Sequence, residues 1–264
     1  MNPMNPRSGE ESMNEISGEE SMSQTSGEEG CCSSNACYRK SLPIAYALSL
    51  LTLIILVEIA GGRLFGRFLT NAGELEALWA TAFLRLMDFM LILFFVHLSG
   101  QGMSSIGLAP GEWRDGIFKG LLWSFGFGLI VFATWGLFLL FHVNLFQYLI
   151  SPPTDYFWWI LLIGGIFAPI VEDSFFVGGL YNALRRRFNI LWSVLGVSLF
   201  FALLHIRIVL MGAIPITQII GGILFTLSFE YSDNLLTPIS IHILANCTLF
   251  AIAYSPWVQH ILHV

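Results

Sequence analysis

Pro169-Ile170-Val171-Glu172-Asp173-Ser174-Phe175-Phe176 decides how this chain is read. Two adjacent carboxylates stand inside an apolar segment. An ionised side chain at mid-bilayer costs about 2.5–3.5 kcal/mol even on lenient insertion scales. Groups held there at such cost face protein or a cavity and do work. Two later apolar segments add Phe201-Ala202-Leu203-Leu204-His205 and His242-Ile243-Leu244-Ala245-Asn246. Acid, imidazole and amide together have the makings of a hydrolytic site inside a membrane.

Composition supports the membrane reading. The 264 residues are 55% hydrophobic and 11% charged, against about 25% charged in soluble domains. The expected fold is all-α: a polytopic transmembrane bundle of about seven helices. They should run near 42–61, 79–98, 117–141, 157–184, 190–207, 209–229 and 235–254. Pro43 suits the first turn of the first helix. Gly100, Gly102 and Gly111 punctuate the loop after the second. Asp233-Asn234 marks the turn before the last. Pro169 cannot donate to the Gly165 carbonyl, so the fourth helix should kink one turn before Glu172. Tyr156, Trp158 and Trp159 suit an interface.

Residues 1–40 read differently. Ser-Gly-Glu-Glu recurs from Ser8, Ser17 and Ser26, and the stretch has almost no apolar residues. It is expected to be a disordered acidic tail ahead of a transmembrane domain at 41–264. It does not read as a signal peptide. Cys31, Cys32 and Cys37 lie in it, and no disulfide framework follows from them. Cys247 reads as a small apolar residue inside a helix.

Lys and Arg set the expected orientation. With the N-terminus inside, the inner loops hold Arg39, Lys40, Arg114, Lys119, Arg185, Arg186 and Arg187, and the outer loops hold Arg63, Arg67 and Arg207. That asymmetry favours a cytoplasmic N-terminus. The triple arginine reads as a topology determinant, with an anionic-lipid or substrate contact as the alternative. Glu172 lies roughly 20 Å from Arg185 along its helix, His205 roughly 22 Å from Ile190, and Asn246 roughly 16 Å from Leu235, so the three can share a level.

Peptide hydrolysis needs a water held beside a base, and donors for the oxyanion. Glu172 and His205 suit the first task, because a carboxylate stripped of water is a stronger base. His242 and Asn246, four apart on one helical face, suit the second. Asp173 points about 100° away from Glu172 and suits a supporting role. Singly, each His or Asn is as well explained by hydrogen bonding across helices. Together, on three spans, they point to a site. In principle two histidines and carboxylates can ligate zinc, but there is no HExxH arrangement, and no metal or other cofactor is expected.

These segments resemble the CPBP family of intramembrane proteases, also called the CAAX-protease, bacteriocin-processing or Abi family. The family's Glu-Glu-x-x-x-Arg motif corresponds to Glu172 through Val177, its Phe-x-x-x-His to Phe201–His205, and its His-x-x-x-Asn to His242–Asn246. The resemblance covers about 155–254, with a weaker lead-in at Ile106-Gly107-Leu108. It implies a glutamate-type protease in which Glu172 and His205 activate water and His242 and Asn246 form the oxyanion hole. The implied partners are a membrane-associated peptide or protein substrate and the lipid bilayer, with no nucleic acid. The implied location is a multi-pass protein of a prokaryotic plasma membrane.

Two positions depart from the pattern. Asp173 replaces the second Glu, and Val177 replaces the Arg. A second reading therefore stands beside the first: a catalytically silent relative that binds a membrane segment as scaffold or immunity factor. Arg85, the one Lys or Arg clearly inside a span, is expected either to pair with Asp88 three residues on or to stand beside Asp173 in place of the missing Arg. Glu58 and His97 are expected to snorkel or cap. A proton-coupled transporter is disfavoured, because the two halves show no paired interrupted helices.

Overall fold

The computed structural model describes residues 40–68, 73–109, 111–143, 154–205 and 215–254. The acidic repeat, the tail cysteines and Arg207 lie outside the described residues. Every regular element among the described residues is helical. In chain order they are α1 (Ile44–Phe68), α2 (Glu74–Leu98), a 3₁₀ turn (Gly102–Ile106), α3 (Trp113–Leu140), α4 (Phe157–Arg185), α5 (Ile190–Leu204), α6 (Ile216–Ser232) and α7 (Leu236–Tyr254). The all-α bundle of seven helices expected from sequence is what forms.

Five of the helices, α1 to α4 and α7, are long and apolar enough to cross a membrane. The other two are shorter than expected. Helices α5 and α6 have 15 and 17 residues, about 22 and 25 Å of rise against a hydrocarbon core of about 30 Å. They pack side by side, joined through 206–214, which are not described. Gly222 lets them approach, since a Cβ there would lie 2.8 Å from the Ser198 Cα.

Helix α4 is the centre of the bundle. Its second half is buried almost without interruption from Val171 to Ala183, except at Glu172. Apolar residues from most other helices meet it, including Leu50, Ile92, Val197, Phe229 and Ile241. Helix α1 packs on α2, and α7 packs on α3, α6 and the first half of α4. On α3 only Gly116 and Gly120 are buried. A Cβ at Gly120 would lie 2.6 Å from that of Ser240, so the two glycines admit α7, and Thr237 donates its hydroxyl to the Gly116 carbonyl. Beyond the charged first turns, with Arg114, Asp115 and Lys119, α3 exposes many large apolar side chains, as a lipid-facing helix requires.

The loops follow the expected chemistry. Gly100, Gly102 and Gly111 have φ of 67°, 65° and 89°, open to glycine at little cost. Asp233 ends α6 in the left-handed conformation at φ 56°. Asn234 then accepts from the Leu236 amide and donates to the Glu112 carbonyl, tying α7 to the start of α3. Pro43 stands immediately before α1, one residue outside the predicted first turn, and its carbonyl accepts from Ala47.

Pro169 interrupts the amide ladder of α4 without ending the helix. Helix α4 continues through it, but the turns on either side of Glu172 widen. Leu161–Phe167 and Ser174–Tyr181 are π-helical, with Ala168–Asp173 between them. Such wide turns inside a helix recur at functional sites.

Candidate active site

The carboxylates sit on the narrow six-residue α-turn between the two π segments. Asp173 is fully buried, and Glu172 keeps 15% of its side-chain surface. Helix α7 brings His242 to both. The Asp173 Oδ1 lies 3.2 Å from His242 Nδ1, and the Glu172 Oε2 lies 4.0 Å from His242 Nε2. A single buried imidazole therefore spans the acidic pair. Phe225 stacks on its face at 4.3 Å between centroids, and Phe201 meets its edge at 5.9 Å. These rings fix the imidazole plane, and the Asp173 bond fixes its rotation.

One helical turn further along α7, Asn246 donates from Nδ2 to the Gly164 carbonyl at 3.1 Å. The acceptor is a carbonyl, so the amide must present nitrogen there and cannot be turned over. One of its two N–H groups remains for another oxygen. Cys247 Sγ lies 3.6 Å from the Gly165 carbonyl, a polar contact beyond the apolar role read from sequence.

His205 stands just past the end of α5. Its Nδ1 is 2.8 Å from the Phe201 carbonyl, and its ring is 4.9 Å from the Phe201 ring. With Nδ1–H donated to that carbonyl, Nε2 carries the free lone pair. Phe201 touches both histidines, so the Phe-x-x-x-His segment joins His205 to the His242 wall. Glu172, Asp173 and His242 are thus in mutual contact, Asn246 lies one turn away, and His205 connects through Phe201.

Arg85 hydrogen-bonds Asp88 at 3.0 Å and Glu58 at 2.6 Å. The i, i+3 pair with Asp88 forms, and the expected pairing of Arg85 with Asp173 in place of the missing Arg does not, because Asp88 and Glu58 take up the guanidinium. Glu58, expected to snorkel or cap, instead completes a three-residue network between α1 and α2. The polar partner of Asp173 is His242. Asp88 is buried. Val177, at the motif's Arg position, is buried among apolar side chains.

Sequence reasoning missed a second polar cluster. At the end of α4, Arg185 reaches Glu230 of α6 through Nε and Nη2, at 3.2 and 2.9 Å, and Tyr181 donates to the same carboxylate at 3.0 Å. Neither sequence reading of Arg185, as a topology determinant or as a lipid or substrate contact, includes this pairing. Its side chain is 6% exposed, so it is an internal ion-pair partner. The signal was present in Glu230, an acid near the end of an apolar helix.

No curated protein and no solved structure matches the chain. A family model does match, over residues 153–248, a segment that contains Glu172, Asp173, His205, His242 and Asn246. Over that segment the chain is similar to the family described as type II CAAX prenyl endopeptidase Rce1-like.

Proposed function

We propose that the protein is an intramembrane endopeptidase that hydrolyses a peptide bond near the membrane in a peptide or protein substrate. The observation that carries this reading is His242 held between Asp173 and Glu172, with Asn246 one turn further along the same face. Glu172 is the more exposed of the two carboxylates, and we assign the attacking water to it. It takes a proton from that water as the hydroxyl attacks the scissile carbonyl. His205, with Nε2 free, accepts or relays a proton at the same water. The oxyanion is met by Asn246 Nδ2–H and by His242 Nε2–H of a doubly protonated ring, while Nδ1–H stays on Asp173. A carboxylate behind an imidazole both orients it and offsets its charge, as in other acid–imidazole pairs. The proton on Glu172 then passes to the departing amine.

The Arg85 network has a supporting part in this scheme. Helix α2 packs on the turn that carries Glu172. Arg85 neutralises Asp88 and Glu58, two carboxylates that would otherwise burden that turn with charge. The number of crossings is odd whether or not α5 and α6 traverse fully, so the positive-inside asymmetry gives the same topology: N-terminus cytoplasmic, α7 ending outside.

The test uses purified protein in liposomes with membrane peptides, with and without a prenylated CAAX terminus. Wild type should cleave, and Glu172→Gln should not. Chelator should leave the rate unchanged, and one zinc per chain lost together with activity would replace this mechanism with a metal one. The substitution of Val177 for the motif's Arg keeps a silent scaffold as the second reading. Binding of a membrane peptide by wild type without cleavage would select it.

A further inference from the structure

Pro169 takes no part in the chemistry of the scheme, yet it bears on Asn246. The π-helical ladder closes the Ala168 amide onto the Ile163 carbonyl, five residues back. The next step of that ladder would bring the amide of residue 169 to the Gly164 carbonyl. In α-helical register it would go to Gly165. Proline has no amide hydrogen, so both registers fail at that residue. Two side chains of α7 fill the gap: Asn246 donates to Gly164 and Cys247 to Gly165. The glycines make the approach feasible. A Cβ at Gly165 would lie 2.9 Å from Cys247 Sγ, and one at Gly164 would lie 3.0 Å from the Phe250 ring.

We infer that Pro169 is a positioning residue: by withholding one amide hydrogen it turns the Gly164 carbonyl outward as the fixed acceptor that orients the Asn246 amide. One N–H of Asn246 is spent on this anchor, and the other is aimed in consequence. The inference deepens the proposed protease reading and rests on it for the role of Asn246. The anchoring itself does not depend on that reading. An amide hydrogen at 169 would draw the Gly164 and Gly165 carbonyls back toward the helix axis. A carbonyl has two lone pairs, but one directed along the axis no longer faces α7.

The test is Pro169→Ala, which restores the hydrogen and is otherwise favourable in a helix interior. Structural damage would lower stability, whereas loss of an anchor would not. The expected result is a fall in kcat of about 10²-fold, the order produced by misplacing a catalytic group by about 1 Å, with KM and thermal stability held or raised. Asn246→Ala should cost far less in the Pro169→Ala background than in wild type, because two changes to one device do not add. A readout independent of activity is the S–H infrared stretch of Cys247, taken with Cys31, Cys32 and Cys37 changed to serine. It should rise in frequency in Pro169→Ala as the thiol loses its acceptor. That rise in a protein whose wild type cleaves nothing would keep the anchor and remove the protease reading. Wild-type kcat with an unmoved thiol band would overturn the anchor, as would a fall in kcat that adds fully to that of Asn246→Ala or comes with an equal loss of stability.

Discussion

Helix α4 carries two buried polar clusters about 18 Å apart along its axis, and they are completed to different degrees. At the Arg185 end, one carboxylate accepts from two guanidinium nitrogens and a phenol, and a further guanidinium N–H donates to the Phe188 carbonyl. At the Glu172 end, Asp173 Oδ2 and the nearby Asp88 Oδ1 are buried without a hydrogen-bond partner among the described residues. Buried polar atoms are nearly always satisfied, so an orphan calls for an explanation. A cluster in which both carboxylate oxygens, the phenol and all three guanidinium nitrogens are engaged has little left to offer a substrate. A cluster with orphaned oxygens, a half-engaged amide and a partly exposed carboxylate does. The contrast separates a polar group that holds helices together from one that is available for chemistry, on one helix and in similar surroundings.

The contrast is easiest to break at the closed end. Arg185→Ala should leave Glu230 buried without its cation and destabilise the protein by about 3–5 kcal/mol, the usual result of removing one partner of a buried pair. Denaturant titration in mixed micelles would measure it. Activity per folded molecule should be unchanged. A wild-type midpoint, or a selective loss of turnover, would mean that the closed cluster is not structural.

At the open end the effects should reverse. Glu172→Gln should reduce cleavage by at least about 10²-fold, as for loss of a general base, with the unfolding midpoint retained or raised. Asp173→Asn should be milder, about 10- to 100-fold, because an oriented imidazole loses its supporting carboxylate but not its ring. Its cost should fall on kcat rather than KM. Equal losses in the two variants would make Asp173 a second base and overturn the division of labour between the carboxylates.

The sequence carried the helices and the motif residues because both rest on local pattern: apolar runs, Gly and Asn turns, and i, i+4 spacing. It did not carry pairings between distant helices. Arg85 could be matched to Asp88 three residues on, but not to Glu58 on α1, twenty-seven residues away. Arg185 looked like an inner-loop charge because its place in the chain says nothing of α6 packing beside it. Pro169 announced a missing hydrogen bond, and the expected kink was the local answer. The widened turns and the use of Gly164 by Asn246 depend on α7, eighty-two residues on. The lengths of α5 and α6 were overestimated because apolar character continues past the helix ends, while the backbone of α5 stops at His205.

The smallest expected effect lies just beyond the closed end. Asn189 precedes α5, and its Oδ1 accepts the Trp192 amide at 3.0 Å. That satisfies one of the amides that a helix start leaves without an intrahelical partner. Asn189→Ala should cost about 1 kcal/mol, the usual value of such a cap. Asn189→Asp should recover most of that, since a carboxylate also accepts there and suits the positive end of the helix dipole. Turnover should be unaffected in both variants, because α5 delivers His205 from its other end, fifteen residues away, and fraying of its first turn leaves that end in place. If Asn189→Ala instead lowered kcat as Asp173→Asn does, the two ends would be mechanically coupled through α5. The closed end would then share in setting the geometry of the open one, and the separation between them would not hold.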